Sequence, residues 1–377
     1  MEDVEQNTVD KWTVPVVITY LMPFTVVTSP GCPEDATWKL SVEELNGAAF
    51  DQIRLQRIST GIDVGLPAPF CMYVSFDGAL VLPALAGFQT AEPAMEKFNE
   101  IMGCLLLGGL VFDMVRAKDI ALGVVHSTGY YTETRPAEGL GGRMRFALHQ
   151  RDSSSSDRMP IFSPKRLAAS DLVGAYRRGQ AVHSRVPQLS LTLVQSACAH
   201  ARSGGHADAL AAAWICCEQL LDVLWTDKVI GLAKAKGLDS APLSSDKFTS
   251  MHRIEVLLLL GVLPKQLHGR LATARVARNR LAHGGVVPTR HQCRDALLAI
   301  GEMLTIASCL PVDGYQQFGE VVGGPIATGP RRRPLSNDDM WRELVLVPGD
   351  KGWAGGPAPN GFEVAGFGPT VVIGRKE

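Results

Sequence analysis

Arg278, Asn279 and His283 stand at the end of an apolar-periodic stretch that starts at Pro264 and is stopped by Gly284-Gly285. A guanidinium keeps its charge at any physiological pH, and an amide offers one acceptor oxygen and two donor hydrogens. An imidazole gives or takes a proton near neutrality. Such a trio suits chemistry on an anion, with His283 able to move a proton. On a helix, Asn279 and His283 lie four residues apart and share a side, with Arg275 on the same flank. Arg275 and Arg280 are the residues expected to bind the substrate.

The charge pattern points the same way. Between Val256 and Arg294 there is no acidic residue, while the stretch carries Lys265, Arg270, Arg275, Arg278, Arg280, Arg290 and Arg294 with His268, His283 and His291. The formal net charge of the whole chain is −1, so general attraction to polyanions is excluded and any such attraction must be local. Phosphate is the natural ligand for this stretch.

The elements that position these residues are helices. Pro264–His283 places Leu267, Leu271, Ala274, Leu281 and Ala282 on one stripe, with Arg278 in its middle. A guanidinium on a core face needs a partner. Glu218 is the candidate, at the edge of the Leu210, Trp214, Leu221 and Trp225 stripe of a helix spanning Ala207–Ile230. The expectation is a buried Glu218–Arg278 ion pair, with Glu218 as structural support. Plainer roles exist for the same residues: a register-fixing salt bridge for Arg278 and a helix C-cap for His283. Further helices are expected at Ser170–Gln180, Leu189–Ala201, Asp246–Leu260 and Thr289–Ser308, joined by short connections that argue for an antiparallel bundle.

The first part of the chain reads differently. Trp12–Ser29, Gln52–Ser59, Phe70–Phe76, Ala79–Leu82, Val111–Val125 and Met144–Leu148 have strand composition, with a hairpin turn at Asp77-Gly78 and one helix near Glu92–Leu107. The fold class expected is α+β. Residues 1–150 form a β-rich N-terminal domain, 151–187 a linker with a short helix (marked by Ser153 to Ser156), 188–310 a helical bundle and 311–377 a Gly/Pro-rich tail. In that tail Leu344–Val347 and Val371–Ile373 have strand composition, and Arg331-Arg332-Arg333 is a basic run.

Composition narrows the class. At 377 residues with 46% hydrophobic and 20% charged residues, the chain has material for packed cores and is not globally disordered. The eight cysteines lack CxxC spacing and read as reduced thiols, not a disulfide framework or a zinc site. No GxxxxGK[ST] or GxGxxG pattern supports a nucleotide motor or a dinucleotide site. The acidic, polar start and the shortness of the apolar runs make a cytoplasmic protein without a membrane span the expectation. No metal and no cofactor are expected.

Arg278-Asn279, three residues and His283 at the end of a bundle helix resembles the RNxxxH form of the R-x(4–6)-H motif of the HEPN family. The Trp214-Ile215-Cys216-Cys217-Glu218 core of the earlier helix is similar to that family as well. The resemblance covers roughly 189–310 and implies a HEPN-like helical fold, a homodimer with motif helices facing across a two-fold axis, and metal-independent endoribonuclease activity on single-stranded RNA. It implies catalytic roles for Arg278, His283 and Asn279. It further implies a regulated toxin or anti-phage effector, with a regulatory ligand or protein acting at the N-terminal domain. The alternative it leaves open is a non-catalytic HEPN scaffold or a nucleotide-binding dimerisation module.

Overall fold

A computed structural model describes residues 13–28, 55–88, 90–149, 165–244 and 248–312, together with 363–364 and 371–372. The chain is α+β: an N-terminal antiparallel sheet is followed by a helical region. The sheet has six strands in the order β3-β4-β5-β1-β6-β7, from β1 (Thr13–Tyr20), β3 (Ile58–Ile62), β4 (Met72–Ser75), β5 (Ala79–Pro83), β6 (Ala121–His126) and β7 (Tyr131–Arg135). β1 sits centrally, pairing Val17 with Leu82 on one side and with Leu122 on the other.

Period-two alternation sends the two sides of each strand to different cores. Val17, Val74, Leu80 and Leu82 join the large core shared with the helices. Val16, Ile18, Ala79, Val81 and Tyr131 form a smaller cluster. The β4–β5 hairpin turns at Asp77-Gly78, with Gly78 at φ 74° and its N–H bonded to the Ser75 carbonyl at 3.0 Å. The fully buried Asp77 carboxylate accepts from Tyr131 Oη at 2.6 Å and from the Ala79 N–H at 3.2 Å, so the turn is tied to β7.

Four strand expectations change. Of Gln52–Ser59, residues 52–54 lie outside the described residues and only Ile58 and Ser59 are strand, at the start of β3. Trp12–Ser29 is not continuous: β1 ends before Pro23, and β2 (Thr25–Thr28) pairs in parallel with β8 (Lys165–Ala168). Val111–Val115 is irregular because side chains claim its backbone. Asn99 bonds both polar backbone groups of Val115 at 2.9 Å, and Gln195 Nε2 donates to the Phe112 carbonyl at 2.7 Å. Met144–Leu148 is helical, within α2 (Leu140–His149). A five-residue apolar run carries too little periodicity to separate the two states.

Between sheet and helical region stands α1 (Ala91–Leu107), which packs against α3 (Ala169–Arg185) and α4 (Leu191–Arg202). The α1–α3 approach is close enough to require glycine. A Cβ on Gly179 would lie 1.7 Å from the Cys104 carbonyl oxygen, and one on Gly108 would lie 1.8 Å from that of Ala175. Next come α5 (His206–Leu224), a π-helical turn (Trp225–Ile230), α6 (Gly231–Ala235), α7 (Ser250–Leu259), α8 (Lys265–Gly284) and α9 (Arg290–Ser308). Ser190 caps α4, its hydroxyl accepting the Leu193 N–H, and Thr289 with Gln292 forms a capping box at α9.

α5 packs against α4, α8 and α9, and buries Leu210, Trp214, Cys217, Leu220, Leu221 and Leu224. The stretch His206–Ala235 has the length and mean hydropathy (1.3) of a membrane span, and 56% of that apolar window is buried inside the protein. Such a helix, apolar nearly all round, is what the centre of a helical core requires.

The sheet and the helices from α3 to α9 belong to one compact unit. A second unit comprises Leu40–Phe50, Met144–Phe162 and Pro325–Glu377. Of it, the structure describes the end of α2 and the antiparallel pair β9 (Glu363–Val364) and β10 (Val371–Val372). The serine-rich linker, Leu344–Val347 and the Arg331-Arg332-Arg333 run lie outside the described residues.

Candidate functional site

α8 presents its motif at its C-terminal end. Leu267, Leu271, Ala274 and Ala277 are its buried residues. The core face is thus turned slightly from the expected one: Ala277 is in it, Leu281 is half-buried and Ala282 is exposed. Arg278 therefore sits at the margin of the face, half-buried, and not in its middle. A margin guanidinium reaches solvent past its aliphatic stem, so it needs no buried counter-ion.

The Glu218–Arg278 ion pair is accordingly not formed. Glu218 Oε1 accepts a hydrogen bond from Ser250 Oγ on α7 at 2.8 Å. Arg278 Nη1 donates to its neighbour, Asn279 Oδ1, at 3.2 Å. Two half-buried groups that each sequence position left to find a partner have found uncharged ones.

The helix stops where the glycines dictate. Gly285 adopts φ 64° and donates its N–H to the Leu281 carbonyl at 3.0 Å, while the Val286 N–H reaches the Arg280 carbonyl at 3.3 Å. This left-handed end turns Val286 back alongside the helix. A shallow groove of about 480 Å³ results, lined by Val276, Asn279, Arg280, His283, Gly284 and Val286. His283 is exposed, and its ring makes no protein hydrogen bond among the described residues. Two of the motif residues, Asn279 and His283, thus share one groove with Arg280. Arg278 touches that groove through Asn279, and Arg275, half-buried, does not line it.

The acid-free stretch is less bare in three dimensions than in one. Carboxylates from just outside it reach in: Glu255 pairs with His268 at 3.1 Å, Asp295 with His291 at 3.1 Å, and Glu302 with Arg270. Arg275, Arg278, Arg280 and Arg294 form no ion pair among the described residues. Lys265 forms none either, so the unpaired cations stand at the start of α8, on its last three turns and at the start of α9.

Sequence reasoning missed the groove's apolar walls. Val276 and Val286, which line it, are 41% and 54% exposed, and the neighbouring Val287 is 66% exposed. The signal was available in Val286-Val287, two β-branched residues directly behind a Gly-Gly stop with no helix or strand to bury them.

Two further concavities stand out among the described residues. One of about 580 Å³ lies between α1 and the α3–α4 junction, lined by Glu96, Glu100, His183 and Thr192 among others. One of about 390 Å³ joins the end of β1, Arg116 and Asp119, the start of α2, and Arg202 of α4, which pairs with Asp113 at 2.9 Å. Among the described residues, neither places a histidine beside an unpaired cation as the α8 groove does. Among the described residues, no cluster of three or more His, Cys, Asp or Glu side chains could hold a metal ion. No protein-family model matches the chain, and no curated protein or solved structure is significantly similar to it.

Proposed function

We propose that the helical region is a HEPN-type endoribonuclease that cuts single-stranded RNA without a metal, and that it serves as a regulated toxin or anti-phage effector. The observation that carries this reading is the groove at the end of α8, where His283, Asn279 and Arg280 stand together beside unpaired arginines. His283 takes the proton of the ribose 2′-hydroxyl, or returns one to the leaving 5′ oxygen. The 2′ oxygen attacks the adjacent phosphorus, the bond to the 5′ oxygen breaks, and a 2′,3′-cyclic phosphate and a 5′-hydroxyl remain. Arginine stabilises the charge gathering on the non-bridging oxygens. Arg280 is the groove's own cation, while Arg278 holds Asn279 and borders the groove.

One helix end offers a single imidazole and an open groove. A second copy facing it completes the site in this reading, and Ala282 and Val287, exposed beside the groove, give that copy an apolar contact. Regulation through the N-terminal sheet is supported by the core that sheet and helices share.

The test is the chemistry of the ends. Purified protein in EDTA is incubated with mixed single-stranded RNA, its 2′-O-methyl counterpart and DNA of the same sequence. Cyclic phosphate and 5′-hydroxyl ends on RNA alone support the reading. Cleavage of the 2′-O-methyl strand or of DNA, or 3′-hydroxyl products, would sink it. Binding without any cut supports the scaffold alternative instead.

A further inference from the structure

The hydrogen bond between Arg278 and Asn279 settles which way the Asn279 amide points. A guanidinium has five N–H donors and no acceptor, so the atom facing it must be the amide oxygen. Oδ1 is engaged by Arg278 Nη1 at 3.2 Å. The amide plane then directs Nδ2 away from Arg278, and Nδ2 has no protein acceptor among the described residues. Asn279 itself lines the groove that holds His283. The groove therefore carries an oriented pair of N–H donors beside the imidazole, between the apolar side chains of Val276 and Val286 and over Gly284, which has no side chain.

Apolar walls with an oriented amide at the edge, beside the cation Arg280 and the imidazole of His283, are the chemistry of a nucleotide subsite: the base packs against the walls and its edge is read by hydrogen bonding. A donor reads an acceptor. Uracil and guanine carry exocyclic carbonyl oxygens where cytosine and adenine carry amino groups, which would meet the Asn279 N–H head-on. We infer that this groove is a base-recognition subsite selective for nucleotides with a carbonyl at pyrimidine C4 or purine C6, uracil or guanine, and that Arg278 sets this selectivity by locking the Asn279 amide. Arg278 is a positioning residue in this role. The inference rests on the proposed RNA-binding role of the groove and names the base seated there.

Binding can be read without cleavage. Short fluorescein-labelled 2′-O-methyl oligonucleotides cannot be cut through the 2′ oxygen, and they form two closely matched pairs: oligouridylate against oligocytidylate, and oligoinosinate against oligoadenylate. Within each pair the exocyclic carbonyl is exchanged for an amino group. Anisotropy titration of the full-length protein is expected to show the carbonyl member bound about tenfold more tightly, the worth of roughly one hydrogen bond and its lost clash. Asn279→Asp places an acceptor where the donor stood, and is expected to abolish or invert both ratios with the unfolding midpoint unchanged. Arg278→Ala frees the amide to flip and is expected to bring both ratios toward one. Equal binding within each pair, retained selectivity in Asn279→Asp, or no binding to any of the four overturns the inference. Absence of cleavage on unmodified RNA, with the binding ratios intact, strikes the nuclease reading alone.

Discussion

Arg278 and Asn279, adjacent in sequence, are bonded to each other through their side chains, Nη1 to Oδ1 at 3.2 Å. The guanidinium that the helical wheel assigned to a buried ion pair instead orients the amide that shares a groove with His283. Charge and chemistry at this helix end are thus linked locally, within α8, and owe nothing to Glu218 on α5.

That separation is measurable. Glu218→Gln keeps the acceptor oxygen used by Ser250 Oγ and is expected to cost less than about 1 kcal/mol in urea unfolding, the range of an ordinary partly exposed hydrogen bond. Losing one half of a buried ion pair would instead cost about 3–5 kcal/mol. A loss of that size would show that Glu218 does hold Arg278.

Paired and unpaired arginines should behave differently toward RNA. Arg280 lines the groove and is unpaired, whereas Arg270 is held by Glu302. Arg280→Ala is expected to lower the slope of log K against log salt by about 1, the signature of one lost phosphate contact. Arg270→Ala should leave that slope unchanged. Equal effects would mean that the flanking acids do not decide which cations meet the ligand.

The packing of α1 against α3 is sterically defined. Gly179→Ala would set a methyl against the Cys104 backbone carbonyl at 1.7 Å, and backbone cannot yield as a flexible side chain can. The expected destabilisation is about 3 kcal/mol. The measurement is the denaturant midpoint at unchanged slope; a midpoint equal to wild type would contradict the α1–α3 approach described above.

Much of this architecture was legible in the residues, because long amphipathic stretches carry several turns of the same signal. α9 begins where Thr289 and Gln292 form a capping box, and α8 ends at its two glycines. What failed did so for identifiable reasons. The Met144–Leu148 run is too short to fix a period. Val111–Val115 follows side-chain bonds from Asn99 and Gln195 that no local pattern announces. Around the site, residue spacing gave the shared side of Asn279 and His283, but the wheel was off by a fraction of a turn. Ala277 took the core position and Arg278 moved to its margin. The acid-free window misled in charge, since Glu255 and Asp295 stand one residue outside it and fold inward.

The buried thiols predict an alkaline limit. Burial pushes the Cys104 and Cys216 thiols up to about 12 and Cys293 up to about 11, from an ordinary value of 9.0, and raises Cys198 and Cys217 further. A folded value above the unfolded one means that the unfolded chain releases protons first as pH rises. The contribution to stability is complete below about pH 9 and is lost on the way up through 11 to 12. Urea midpoints should fall between pH 9 and 11, and Cys216→Ala with Cys293→Ala should flatten that fall. An unchanged slope in the double variant would contradict thiol linkage. At pH 8 a thiol reagent, followed by peptide mapping, should modify exposed Cys309 well before Cys198, Cys216 or Cys217.

His283 is the proton-transfer group on which the proposed chemistry turns, and its substitution is the most direct test. Single-turnover cleavage of labelled single-stranded RNA in EDTA, wild type beside His283→Ala of matched unfolding midpoint, should show a rate loss of about 100-fold or more, the usual worth of a general acid or base. Cleavage by both proteins at the same rate would contradict it.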